Sequence, residues 1–476
     1  MKKKSVFTVL LMVMTCFSLQ SFAQAVMPHS VPREFQSKQY TVEVNGLPVQ
    51  VFQASPRVHF TSFDFTDKVS VKVNGKIVRE IGVPLPIRDE QVDGASVWEG
   101  GEAIIRPLSR HIKVETNGSI ATFNLDEPGQ YVLEGTNTTQ FAIDNQDMVL
   151  FLFANKPEAD KPQEGDPNTI YLKPGTHFQN MDLKSGQTLY LEAGAVLFGG
   201  INVWDAHDVK ILGRGVVYYY GPQSETHDNG VWHRKDWHPL TTENSERLTV
   251  SGVTFVGRSR TWSIQMHTTF DATFDNVKVL AVNDQNINGD GFDWQDGGGR
   301  SKITNSLIRS SDDCFALFTA KKEKMETMVK DITIENCVLW PTRANIFRTS
   351  GYAENITMRN CDIIHVPNSL FTVPRALICT TNSKEHVSRI SNLLFENLRF
   401  EEPAALLGLQ IEKGLFKNIT FRNITMKGEP LPLYVDTHID GLLFDNVALN
   451  GKQILSEDDL TFKVKTNKIK NLKFSK

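Results

Sequence analysis

The chain has 476 residues, of which 40 % are apolar and 22 % charged, with a formal net charge of −4. That composition is ordinary for a globular protein, and the length favours two domains over one. A mildly acidic chain, more acidic still once Lys2, Lys3 and Lys4 leave with a leader, is a poor candidate for nucleic acid or an anionic membrane surface.

Residues 1–23 have the form of a secretory signal peptide. Three lysines precede an apolar run from Val6 to Phe17, and Ser21-Phe22-Ala23 offers small residues for cleavage after Ala23. The apolar run is too short for a membrane anchor, no basic stop follows it, and Met14-Thr15-Cys16 is a poor lipobox. The expectation is a secreted or periplasmic protein with no membrane span.

Residues 24–160 read as an N-terminal β-sandwich. Residues 24–40 look like a loose arm, and short alternating runs follow up to Asn155. Thr41-Val42-Glu43-Val44 precedes Asn45-Gly46, and Val69-Ser70-Val71-Lys72-Val73 precedes Asn74-Gly75, so a hairpin is expected at each Asn-Gly. No helical periodicity of useful length interrupts these runs. Residues 155–168 carry three prolines and read as a linker.

Residues 161–476 follow a different pattern. An apolar residue, a polar residue and an asparagine recur at Asn276, Asn305, Asn336, Asn360, Asn397, Asn423 and Asn446, in steps of 29, 31, 24, 37, 26 and 23 residues. Short strands at that period suit the coils of a parallel β-helix. Asparagine tolerates a bend conformation and bonds neighbouring backbone, so stacked asparagines can form a ladder at one corner. A leucine-rich solenoid is the rival, but neither a leucine frame nor a helical half-repeat is present. Cys314, Cys337, Cys361 and Cys379 sit in or beside apolar runs without a CxxC or Cys/His frame, which predicts buried thiols and no structural zinc.

The chemistry concentrates in Asn288-Gly289-Asp290-Gly291-Phe292-Asp293 and in Asp312-Asp313-Cys314. An isolated Asp-Asp pair is most simply a solvated turn. Here a third acid, Asp290, lies one repeat upstream. Carboxylates on neighbouring coils can share a cleft in which repulsion raises one pKa and leaves the others ionised. Glycosidic hydrolysis needs that division: one acid for the leaving oxygen, one base for water.

These motifs resemble the right-handed β-helix (pectin-lyase-like) glycoside hydrolases of families 28, the polygalacturonases, and 49, the dextranases and isopullulanases. Family 28 pairs Asn-x-Asp-Gly-x-Asp with Asp-Asp-Cys. Its Gly-His-Gly and Arg-Ile-Lys signatures are absent here; Arg343 stands nearest the histidine slot and Arg375 is a weak remnant of the second. Family 49 is similar to the downstream stretch, with Val338-Leu339-Trp340, Asn345-Ile346-Phe347 and Ile363-Ile364-His365 after the Asp pair, and it too carries an N-terminal sandwich. The resemblance implies a metal-independent, inverting hydrolase without cofactors, acting on an α-linked polysaccharide or oligosaccharide, dextran first. It implies that Asp312 protonates the leaving oxygen while Asp290 and Asp313 activate water. The acid and base are expected to stand about 6.5–9.5 Å apart.

Trp262, Gln265, Asn288, Asp293, Trp294, Trp340, Arg343 and His365 are the candidates for holding sugar, each with a plain packing or surface role as its rival. His267 and the segment from His227 to His238, with Trp232, His233 and Trp237, are further cleft candidates, and the charged run 321–330 reads as a solvated face. Three other readings remain: a family-28-like polygalacturonase or exo-glycosidase, a Ca²⁺-dependent eliminating lyase, and a non-catalytic carbohydrate-binding β-helix.

Overall fold

A computed structural model describes residues 26–56, 58–81, 89–98, 100–136, 149–221, 235–258, 261–282, 288–319, 328–366, 375–380, 387–411, 413–465 and 468–476. The leader, the segment from His227 to His233 and most of the run 321–330 lie outside these residues.

Up to Asn155 the strands form two six-stranded sheets that face each other across one apolar core. Val42, Val44, Val71, Val73, Phe123 and Leu125 alternate with outward polar residues, the period of two that packs one face of a sheet. The hairpin at Asn45-Gly46 forms, with φ of 50° and 76°, and joins Tyr40–Val44 to Leu47–Val49. The hairpin expected at Asn74-Gly75 does not. A single strand, Val69–Ile81, runs straight through it. Gly75 is needed there for room, because a Cβ would come within 2.5 Å of Val97 and 2.9 Å of Tyr40. The described part of the expected loose arm is docked. Val26–Pro28 pairs with Val58–Phe65, and buried Phe35 stacks on Phe52 at 4.8 Å. Two apolar anchors outweigh the turn-rich composition around them.

From Thr169 onward the chain is an all-β, right-handed parallel β-helix, with 32 strands hydrogen-bonded from coil to coil. Each coil contributes a strand to each of three sheets. The first begins with Thr169–Leu172, the second with Gly175–Phe178 and the third with Met181–Leu183. The asparagine repeat turns the corner between the first and second sheets. Its members have φ of 51–57°, and Asn397 donates to Asn360, Asn423 to Asn397 and Asn446 to Asn423 at 2.8–2.9 Å. Another ladder, unread in the sequence, holds the corner entering the first sheet. Asn355 donates to Asp331, Asn392 to Asn355 and Asn418 to Asn392.

Inside, like side chains stack. Phe395, Phe421, Phe444 and Phe474 follow one another at 5.4–5.5 Å between ring centroids. Each covered phenylalanine contributes roughly 1.5–3 kcal/mol relative to exposure. Cys314, Cys337, Cys361 and Cys379 are buried free thiols, as their apolar settings predict.

The outer face of the second sheet is not open. Phe52, Phe60, Phe151 and Phe153 of the sandwich cover Val196, Tyr218, Val256, Leu280, Leu307, Val338 and Trp340. This cluster contains no residue of the third sheet.

Candidate active site

The third sheet sets the site through register. Ile264, Phe292, Phe315 and Phe347 pair in sequence along successive coils and point inward. Two residues earlier, each coil makes the turn that enters the sheet. Carrying the register back stacks His238, Trp262, Asp290, Asp313 and Asn345 in one column along the helix axis. Backbone bonds fix it: Ser263 N donates to the Asp290 carbonyl at 2.9 Å, Gly291 N to that of Asp313 at 3.0 Å, and Cys314 N to that of Asn345 at 3.0 Å. The motif glycines let these turns touch. A Cβ on Gly289 would lie 2.3 Å from Ser311 Oγ, and one on Gly291 would lie 2.5 Å from the Cys314 carbonyl.

Asp290, Asp312 and Asp313 come together, one oxygen of each lying within 4.8 Å of the others. This bounds the nearest oxygens, whereas the expected separation of about 6.5–9.5 Å is that of whole carboxyl groups. Asp290 and Asp313 occupy equivalent places on consecutive coils, so the strand spacing of about 4.7–4.9 Å sets their separation. Asp313 is fully covered. Its Oδ1 accepts from Asn345 N and Nδ2, both at 2.9 Å, and its Oδ2 lies 3.4 Å from Arg348 Nη1. Asn345 is oriented in turn by Ala376 N, which donates to its Oδ1 at 3.0 Å. Asp290 Oδ1 accepts from Asp313 N at 2.9 Å.

Burial pushes the Asp312 carboxyl up to about 9, with Asp313 and Asp290 adding repulsion and Arg348 opposing it. Burial also lifts Asp290 well above the carboxylate range, reinforced by Asp293 and Asp313, and it lifts Asp293 likewise. The expectation that repulsion would raise a single acid is thus corrected. Loss of water is the largest effect at each of the three, so more than one proton is retained. Three oxygens this close also resemble a cation's donor set, but a divalent ion would have to displace those protons.

Along the third sheet, residues between the inward ones form outward rows. One row runs Asn202, Thr241, Gln265, Asp293, Ala316, Arg348, and the next runs Trp204, Glu243, His267, Gln295, Phe318, Ser350. Gln265 is therefore directly below Asp293 on the preceding coil. Trp262 stacks on His238 at 5.7 Å with planes 2° apart and faces Phe318 at 6.3 Å, one coil from the acids. Asn288 is partly exposed two residues before Asp290, and Arg343 is partly exposed two residues before Asn345.

Three sequence candidates do not face this cleft. Trp294 is wholly inside the solenoid, packed on Phe292 and Phe315, because the alternation that turns Asp293 outward turns Trp294 inward. Trp340 lies under the sandwich, 5.7 Å from the Phe151 ring. His365 is bound between Glu134 at 2.7 Å and Glu402 at 2.9 Å, with Glu134 reaching across from the sandwich. Asn345 and Phe318 were not singled out from the sequence. Arg348, five residues after Arg343 in the sequence, is the arginine that meets Asp313. The usable signal was parity: Arg348 lies one residue after inward Phe347 and so faces the cleft.

Fold and floor together define a β-helix with an acid-lined third sheet behind an N-terminal sandwich, the architecture of the β-helix glycoside hydrolases that the motifs resemble. No family model matches the sequence, and no curated protein matches it. Among solved structures, Dex49A from Penicillium minioluteum is similar, with a TM-score of 0.59 at 15 % identity over 94 % of this chain and 95 % of that one. A hyperthermoactive exopolygalacturonase from Thermotoga maritima has a TM-score of 0.47 at 11 % identity, covering 64 % of this chain and 84 % of that one. The surface adhesin PfbA from Streptococcus pneumoniae has a TM-score of 0.41 at 13 % identity, covering 60 % and 81 %. At these identities the likeness is one of fold.

Proposed function

We infer that the protein is a secreted glycoside hydrolase that cleaves an α-linked polysaccharide by single displacement, with dextran the first choice of substrate. The observation that carries this reading is the difference in surroundings within one cluster. Asp312, the partly exposed member, keeps its proton to about pH 9. Asp313 is held by two donors from Asn345 and by Arg348. An acid and a base side by side at neutral pH is what the reaction requires.

In this reading Asp312 gives its proton to the glycosidic oxygen as the C1–O bond breaks. A water attacks C1 from the opposite side, and its proton passes to Asp290 or Asp313. Oxygens within 4.8 Å of each other can share one water through hydrogen bonds of about 2.7–2.8 Å each. That arrangement makes the Asp290–Asp313 spacing a seat for the nucleophile. The burial of Asp313 argues against its attacking the sugar directly. Asn288 and Arg343, both partly exposed, are the remaining candidates for sugar hydroxyls, whereas Trp262 is buried against His238 and Phe318 and Gln265 is fully covered.

The test is to incubate the mature protein with dextran, pullulan, polygalacturonate and host glycans and to identify the ends released. New reducing ends from an α-glucan, unaffected by a chelator, are expected. Unsaturated uronate ends abolished by a chelator would point to elimination instead, and binding without cleavage to an adhesin.

A further inference from the structure

Asp293 is the one acid of the cluster region with no assigned reaction step, and its surroundings are unusual. It points outward on the cleft-facing row yet is 0 % exposed, and neither carboxyl oxygen meets a hydrogen-bond donor among the described residues. A buried carboxylate without a donor is strongly disfavoured. The charged groups around it are few. Asp290 precedes it on the same coil, Asp312 and Asp313 lie on the next coil, and Arg348 lies one coil further. Directly below and above it on the row are uncharged Gln265 and Ala316. Arg348 is already committed to Asp313.

Asp290 is differently placed. Its Oδ1 already accepts the Asp313 backbone N–H. Of two adjacent buried carboxyls, the one with a donor is the better home for the negative charge, and the one without is the better home for the proton. We propose that Asp293 is a positioning residue that stays protonated through turnover and donates a permanent hydrogen bond to Asp290, holding Asp290 ionised and in one orientation toward the water. This inference rests on the reading of Asp290 as a base, but its proton assignment can be measured without any substrate. Burial raises both acids, so the pair holds at least one proton at neutral pH. The side-chain hydrogen bond from Asp290 lowers Asp293 and the charge of Asp293 raises Asp290, and it is the Asp313 N–H on Asp290 that favours the proton on Asp293.

The experiment uses the full mature chain labelled with ¹³C at aspartate carboxyls. The Asp290 and Asp293 resonances are assigned by their loss in D290N and D293N, and all are followed from pH 4 to 10. At pH 7 the Asp293 carbon is expected at the shift of a protonated carboxyl and the Asp290 carbon at that of a carboxylate. The reverse, or two carboxylate shifts, overturns the proposal.

Activity gives a second readout. D293N, whose amide still donates, is expected to lose less kcat than D293A, because a neutral donor of the same shape replaces another. D293A should move the acidic limb of the pH profile up by about one to two units through loss of the bond to Asp290, with KM unchanged. D293N as inactive as D290N would show that a charge at position 293 is needed and sink the idea. If no glycan is cleaved but the resonances behave as stated, the hydrolase reading fails and the proton assignment stands.

Discussion

His365 ties the solenoid to the sandwich through a charge cluster, and its loss should be felt in a definite pH window. His365 Nε2 meets Glu134 at 2.7 Å and Nδ1 meets Glu402 at 2.9 Å, while Arg106 pairs with both Glu134 and Glu401. Burial pushes the imidazole down, but the two glutamates outweigh it and bring it to about 9 from an ordinary 6.5. Burial likewise pushes Glu134 up, and His365 with Arg106 outweighs that, so Glu134 stays lowered. At about 1.36 kcal/mol per pH unit, the His365 shift corresponds to roughly 3 kcal/mol of stability. The sign follows from the raised folded value: the contribution is complete below about pH 6.5 and is lost as pH rises through about 9. His365→Gln keeps the shape and one donor but carries no charge. Urea unfolding of the parent and of His365→Gln, from pH 6 to pH 10, should show a gap of about 3 kcal/mol at pH 6 that closes toward pH 10. A gap that is constant across this range would refute the argument, because packing alone does not titrate.

Replacing Asp290, Asp312 or Asp313 by Asn should lower kcat by about 10²–10⁴-fold or more, checked on whichever glycan is cleaved. Asp312→Asn should also stabilise the fold by a few kcal/mol at pH 7, because the parent holds a proton there that the unfolded chain releases. That gain should vanish below about pH 3.8, where both states are protonated, and thermal melts at pH 3 and 7 would show it. Activity should fall as pH rises through about 9, where Asp312 loses the proton it donates, and a kcat profile flat to pH 10 would contradict this. Asn397→Ala removes bonds to Asn360 and Asn423 and places alanine at a φ of 53°, so a loss of about 2–3 kcal/mol is expected in urea midpoints.

Much of this was legible in the sequence for identifiable reasons. The asparagine repeat announced the coils because each coil needs one residue that tolerates a positive φ at its corner. The acids stood out because Asp312-Asp313 beside apolar Phe315 serves no packing purpose. The inward place of Trp294 is readable from alternation alone: Phe292-Asp293-Trp294 runs in, out, in. Trp340 and His365 could not be placed in this way. They lie on the outer face of the second sheet, and only the docking of Phe151 and Glu134 from the sandwich shows that this face is closed. Asn345 was hidden for another reason. Its place in the column after Asp313 depends on a coil 32 residues long, whose register is set by Phe315 pairing with Phe347.

The central claim is single displacement by the Asp290, Asp312 and Asp313 cluster, and the anomer first released tests it most directly. Proton NMR of the parent acting on an α-linked glucan, read before mutarotation, should show the β-anomer. Asp313→Asn, run alongside, should show no release on the same timescale. An α-anomer at the earliest times would mean a covalent or retaining route, and the roles assigned to these three aspartates would not stand.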